Sequence, residues 1–138
     1  MTYFEWNTQV ELEHPLLNEQ HKHLFALSEA LVHSLADAPD HRPAEAALRA
    51  LIDYAREHFA MEEGLMLASG YAAADTHSGY HARLLNDLED YCSKIRRDES
   101  ARLTVTGLVA YLWRWLVLHI DSSDRELVRW LKSQEQKP

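Results

Sequence analysis

Cysteine is nearly missing from this sequence. Cys92 stands alone, so no internal disulfide can form, which fits a reducing cytoplasm. Basic residues are also in deficit: 14 Lys and Arg stand against 22 Asp and Glu, for a formal charge of −8. Without clustered Lys and Arg to displace phosphate counterions, no nucleic-acid partner is expected. There is no strand-type alternation of any length, no repeat and no low-complexity tract. No apolar run approaches the roughly 20 residues of a membrane span, and Met1-Thr2-Tyr3-Phe4-Glu5-Trp6 lacks the basic and apolar segments of an export signal. The expectation is a cytoplasmic protein with no membrane contact.

Histidine is what the chain has in excess, nine in 138 residues. Breaks at Ala38-Pro39-Asp40-His41-Arg42-Pro43, Ser69-Gly70-Tyr71 and Arg97-Asp98-Glu99-Ser100 leave helical stretches at 18–37, 43–68, 74–97 and 101–120, with a short fifth to about 134. Asn18 suits an N-cap, Pro43 the first helical position, and Gly70 the residue just past a helix end. Short connections between long helices predict antiparallel neighbours. The fold class is all-α: an up-down-up-down four-helix bundle with a short C-terminal helix, one domain over 1–138.

Following steps of three and four, the core stripes read Leu17, His21, Leu24, Ser28, Leu31, Leu35; Leu48, Leu51, Ala55, His58, Glu62, Leu65; His77, His81, Leu84, Leu88, Tyr91, Ile95; and Val105, Leu108, Leu112, Leu116, His119. Every stripe carries a histidine. Burying an imidazole or a carboxylate costs several kcal/mol, on the order of a whole domain's margin, unless the group is paired or coordinated. His58 and Glu62 are four apart, as are His77 and His81, so each pair shares a helix face. In an antiparallel bundle, His21, His58, Glu62, His77, His81 and His119 all fall at one end. That coincidence points to metal. Asp124 is harder to place, because five residues after His119 is about 140° round a straight helix. The helix must end or bend between them, and Ser123 with Glu126 offers a capping box from which a new short helix can start. Five imidazoles and two carboxylates are too many for one six-coordinate ion and suit two, with Glu62 and Asp124 bridging. Ligand type alone does not select iron over zinc, copper or nickel.

The residues Trp6, Asn18-Glu19-Gln20-His21-Lys22, Leu24-Phe25, His58-Phe59, Glu62-Glu63, Leu65-Met66, Gly70-Tyr71, His77, His81, Trp115-Leu116, His119-Ile120 and Asp124 span nearly the whole chain. In this order and spacing they resemble the hemerythrin family, in its single-domain bacterial branch, the bacteriohemerythrins. The resemblance implies the same bundle, for which myohemerythrin is a standing example. It implies two non-haem irons: one held terminally by His77, His81 and His119, the other by His21 and His58 with one position open. Glu62, Asp124 and a solvent-derived hydroxide or oxo group would bridge them. It further implies that dioxygen binds reversibly at the open position. Leu116 and Trp115, on the face of His119, are expected to line the oxygen pocket and exclude water.

The expected role is oxygen carriage, storage or supply by a monomer that is not an enzyme, although a side oxidase or peroxidase activity is compatible with the site. An oxygen-consuming enzyme or a signalling partner would be its protein contact. The alternatives are a redox sensor acting through a partner, a peroxidase or nitric-oxide-handling di-iron enzyme, and iron sequestration. Asn18 stands where relatives commonly have Asp, Glu13-His14-Pro15 is an unusual lead-in, Gly64 falls inside a helix, and Leu127 replaces a frequent tyrosine. These departures bear on oxygen affinity and autoxidation. His14, His23, His33 and His41 are expected at the surface, Trp113, Trp130 and Tyr54 mainly in packing, and Cys92 as a small buried residue.

Overall fold

The computed structural model describes residues 2–37, 40–97 and 101–136. It contains α1 (Pro15–His33), α2 (Arg42–Ser69), α3 (Ala74–Arg97), α4 (Ala101–His119) and α5 (Arg125–Glu135). Short 3-10 turns lie at Thr8–Val10 and Ser34–Asp37, and a π turn at Ile120–Asp124 joins α4 to α5. No strand occurs among the described residues. Consecutive helices pack on one another and α4 packs back on α1, which closes the up-down-up-down bundle.

The helices exist because their apolar stripes can be buried together. Leu17, Leu24 and Leu31 of α1 meet Leu48, Leu51, Ile52 and Ala55 of α2, Leu84, Leu88 and Ile95 of α3, and Leu108, Leu112 and Leu116 of α4 in one core. Leu35, Leu65 and Tyr91, the outlying members of the expected stripes, are only partly buried. Cys92 lies in the core, as expected. Residues 38, 39 and 98–100, which belong to two of the expected breaks, lie outside the described residues.

Two helix starts differ from expectation. Asn18 does not cap α1; the helix begins three residues earlier, where Pro15 occupies the first turn and His14 Nδ1 accepts from Leu17 N at 3.2 Å. Proline's fixed φ favours that start. Asn18 instead grips the incoming arm, donating to Leu12 O at 2.7 Å and accepting from Leu12 N at 2.9 Å. α2 starts at Arg42 rather than Pro43, with Arg42 N donating to Asp40 Oδ1 at 3.0 Å. Gly70 does close α2, at φ 68°.

The stretch Leu103–Glu135 corrects a second expectation. It contains an 18-residue window of mean hydropathy 1.4, long and apolar enough to cross a membrane by length and composition. Arg114 and His119 interrupt the apolar run without much lowering the average, so no unbroken run marks the segment in the sequence. In the fold this is a core helix, with Val105, Leu108, Leu112, Leu116 and Ile120 buried in the bundle.

The N-terminal arm completes the packing. Phe4 meets Phe25 and Trp113 at 6.2 and 5.7 Å between ring centroids, and Trp6 meets Phe25 at 5.3 Å. Trp113 is thus a packing residue that ties the arm across α1 and α4.

Two glycines of α2 should respond to alanine with opposite signs. Gly64 lies inside the helix with open space where an alanine methyl would sit, so Gly64→Ala should stabilise the protein by up to about 1 kcal/mol. Gly70 also has open space, but its left-handed φ penalises any Cβ, and Gly70→Ala should cost about 1 kcal/mol. Urea unfolding of the metal-free variants would measure both.

Candidate metal centre

The ends of four helices meet at one pole of the bundle. His21 lies in the second turn of α1, His58 and Glu62 in the last three turns of α2, His77 and His81 in the first two turns of α3, and His119 is the last residue of α4. Asp124 follows at the end of the π turn. All seven side chains are buried, the most open being His119 at 7% exposed.

Asp124 reaches the site by a route other than the expected helix restart. No second helix begins at Ser123, and no capping box forms; the helical path continues through Ile120–Asp124 as a π turn into α5. A π turn bonds i to i+5, so it places residues five apart roughly one above the other. His119 and Asp124 therefore both face inward, with His119 Nε2 3.2 Å from Asp124 Oδ1. The turn is braced from outside. Arg125 donates to Gln9 O at 2.7 Å and Glu11 O at 3.3 Å, pairs with Asp121 at 3.1 Å, and Asp121 accepts from Gln9 Nε2 at 3.4 Å.

The donor atoms sort into two groups. In one, Glu62 Oε1 lies 2.7 Å from His77 Nε2 and 3.2 Å from His81 Nε2. Asp124 Oδ1 lies 3.0 Å from His77 Nε2, and the Nε2 atoms of His81 and His119 are 3.2 Å apart. In the other, Glu62 Oε2 lies 3.2 Å from His58 Nε2 and 3.9 Å from His21 Nε2, while Asp124 Oδ2 lies 3.1 Å from His21 Nε2. Each carboxylate thus turns one oxygen to each group. The result is a pocket of Glu62, His77, His81, His119 and Asp124 beside a pocket of His21, His58, Glu62 and Asp124. Adjacent donors on one ion with bonds of about 2.1 Å are separated by roughly 3 Å, the spacing found here.

Protons alone do not satisfy this arrangement. His21 Nδ1 and Nε2, His77 Nε2, both Glu62 oxygens and Asp124 Oδ1 are buried without an aligned hydrogen bond, although the groups stand at ion-pair distance. Unsatisfied buried polar atoms are rare and costly. Apart from His21 Nδ1, the ring nitrogen opposite that residue's donor, they converge on two points, and cations at those points would satisfy them. The donor set fits a metal.

The outer hydrogen bonds orient the rings. His81 Nδ1 meets Glu63 Oε2 at 2.8 Å, and His58 Nδ1 meets Gln20 Oε1 at 2.6 Å. With the Nδ1 protons given to these partners, each Nε2 keeps a lone pair for the pocket. Phe59 stacks on His81 with centroids 3.8 Å apart, and Trp115 stacks on His119 at 4.3 Å. Periodicity and spacing assign no role to Gln20, Glu63 or Phe59. Their signals in the sequence are adjacency, since each neighbours a ligand-spaced histidine or glutamate, and their place within the family motif. Leu116 is buried in the core one turn before Ile120. Trp115 lies against the three-histidine pocket through His119.

The other candidates fall elsewhere. His14 caps α1, His33 pairs with Glu29 at 3.3 Å, and His41 with Glu45 at 3.8 Å. His23 packs on Tyr54 with ring centroids 4.2 Å apart, away from both donor groups. Trp130 donates to Ser69 Oγ at 3.0 Å, and Leu127 is fully buried.

Fold and site together define a helical-bundle protein with a buried histidine–carboxylate cluster that could hold metal ions. A family model described as the hemerythrin HHE cation binding domain matches residues 14–131. The chain belongs to the hemerythrin family. It is 26% identical over 124 residues to a bacteriohemerythrin of Pseudomonas paraeruginosa, covering 90% of this chain and 78% of that protein. It is 31% identical over 123 residues to a hemerythrin-like protein of Naegleria gruberi, covering 88% and 87%. A crystal structure of wild-type hemerythrin superposes with a TM-score of 0.76 at 28% identity, covering 92% of this chain and 97% of that one.

Metal-free protein should show the electrostatics of the cluster directly. Burial and the nearby Asp124 push the Glu62 carboxyl up, but the imidazoles of His58, His77 and His81 outweigh them and hold it well below its ordinary value. Burial likewise opposes ionisation of Asp124, but the charge of His119 and contacts from His119, His21 and His77 outweigh it and hold the carboxyl well below its ordinary value. Burial disfavours a charged His77, yet Asp124 and Glu62 raise it to about 9. The raised imidazole stabilises the fold below its unfolded value of about 6.5, and that stability is lost as pH rises through about 9. The lowered carboxylates stabilise it above about 4.5 and lose that effect as pH falls. Urea midpoints of chelator-treated protein should therefore peak between about pH 4.5 and 6.5. A midpoint that does not change between pH 6 and 10 would contradict the His77 assignment. Metal uptake at pH 7 should release protons, measurable with an indicator dye.

Proposed function

We propose that the chain binds two irons in the paired pockets and binds dioxygen reversibly beside His21 and His58. The observation that carries this reading is the inequality of the pockets. One offers five protein donors and the other four, with Glu62 and Asp124 common to both. With one bridging hydroxide or oxo group added, a six-coordinate preference is met in the first pocket and leaves one position open in the second. Membership of the hemerythrin family supports iron as the metal.

The irons, when bound, supply the electrons that hold dioxygen and recover them on its release. The chain's part is to bind, orient and exclude. Five neutral imidazoles against two carboxylates give a ligand set with little negative charge to stabilise strongly oxidised iron, which favours carriage over oxidation. The burial of all seven ligands keeps bulk water from the centre. Leu116 is buried in the apolar core below the centre, and Trp115 covers His119 on the side of the three-histidine pocket. We place the protein as an oxygen carrier, store or local supplier to an oxygen-consuming enzyme, acting as a monomer in the cytoplasm and not itself a catalyst.

The test is anaerobic loading with ferrous iron, a metal count, and repeated admission and removal of oxygen under visible spectroscopy. Two irons per chain and a charge-transfer band that forms with oxygen and vanishes on its removal are expected. A band that decays at once to a permanently oxidised centre would contradict carriage and favour a redox enzyme or sensor. His58→Ala leaves its pocket three donors, and should reduce the count toward one iron and abolish the band.

A further inference from the structure

The two pockets differ behind their ligands as well as among them. His81 gives its Nδ1 proton to Glu63, a carboxylate, at 2.8 Å. His58 gives its own to Gln20, a neutral amide, at 2.6 Å. The direction of the second bond follows from the pocket: His58 Nε2 faces Glu62 Oε2 at 3.2 Å and must keep its lone pair to serve a cation, so Nδ1 carries the proton and Gln20 presents its carbonyl oxygen. An anionic acceptor draws the Nδ1 proton and makes the opposite nitrogen a stronger donor, while an amide does so much less.

Glu63 is also placed to act on one pocket only. It follows Glu62 by one residue, about 100° round α2, so it leaves the core and meets His81 of α3 at the rim. It is 36% exposed, and His81 is its hydrogen-bond and ion-pair partner among the described residues. Glu62 and Asp124 lend one oxygen to each pocket and so do not distinguish them. Glu63 does.

Resting on the two-metal reading above, we infer that Glu63 is a positioning residue that makes the three-histidine pocket the tighter one. That pocket fills first, and the pocket backed by Gln20 fills second and empties first. A stable intermediate with one metal, held by His77, His81 and His119, follows from this order.

The probe is Co2+ alone, titrated calorimetrically and anaerobically into chelator-stripped protein at fixed pH. Wild-type protein should take up two ions in two resolved steps. Glu63→Gln should weaken the first step about tenfold, the lower end of what loss of such a partner costs, and leave the second unchanged. Glu63→Asp should recover part of the loss. Gln20→Glu should tighten the second step alone and bring the two together. A downfield Nδ1–H resonance of His81 should move upfield in Glu63→Gln, because an amide oxygen draws that proton less than a carboxylate does, and should return toward its place in Glu63→Asp. Two cobalt ions in wild type with Glu63→Gln leaving both steps unaltered, or weakening both equally, would overturn the inference and leave the two-metal reading standing. Fewer than two ions in wild type would overturn both.

Discussion

Two carboxylates buried among five imidazoles are the constraint on which this structure depends. Glu62 and Asp124 are almost fully sealed from water, and each oxygen they present has an imidazole nitrogen within about 4 Å. Protonation can relieve only part of that arrangement, since two of the rings already give their Nδ1 protons outward to Gln20 and Glu63. The lone pairs left over point inward. A metal-free core of this kind is a poor use of a small protein's narrow stability margin. Cations held there would turn the same atoms from a liability into a crosslink between all four helices.

That requirement explains features of the bundle that packing alone would not select. Helix ends, usually the least stable parts of a helix, gather at the pole where ligands are needed. The crosslink runs from α1 through α2 and α3 to α4, so the metal would tie down termini that would otherwise fray. The π turn is the most specific adaptation. It inserts the extra residue that lets His119 and Asp124 share a face, and it is held by the Thr8–Val10 arm through Arg125. The arm is anchored by aromatic contacts with Phe25 and Trp113 and by the grip of Asn18 on Leu12. Residues far apart in sequence thus share one task, the placement of a single carboxylate.

The bundle and its family are legible in the sequence because helical periodicity is strong and histidine is rare on apolar stripes. The pairs His58/Glu62 and His77/His81 announce themselves by spacing four, which fixes their common face without any tertiary information. Asp124 is legible only as a conflict, five residues from His119. A capping box at Ser123 offers the wrong resolution, a helix restart, because π turns have no local sequence signature as clear. The start of α1 is misread for a related reason. Asn18 is a good cap in isolation, but its amide is claimed by Leu12, six residues back, and His14 is an uncommon cap. Gln20 and Glu63 stand within the family motif, yet their work depends on which ring nitrogen faces out, and that is known only once the helices are packed. The membrane-like character within Leu103–Glu135 lies in the mean hydropathy of one 18-residue window and not in any unbroken apolar run, and burial in the bundle accounts for it.

The central claim is that two ions share Glu62 and Asp124. Anomalous diffraction at the iron edge from crystals of iron-loaded protein tests it most directly. The account predicts two peaks a few ångströms apart at this pole, one among His77, His81 and His119 and the other between His21 and His58, with both carboxylates spanning them. A single peak, or two peaks held by separate carboxylates, would contradict it.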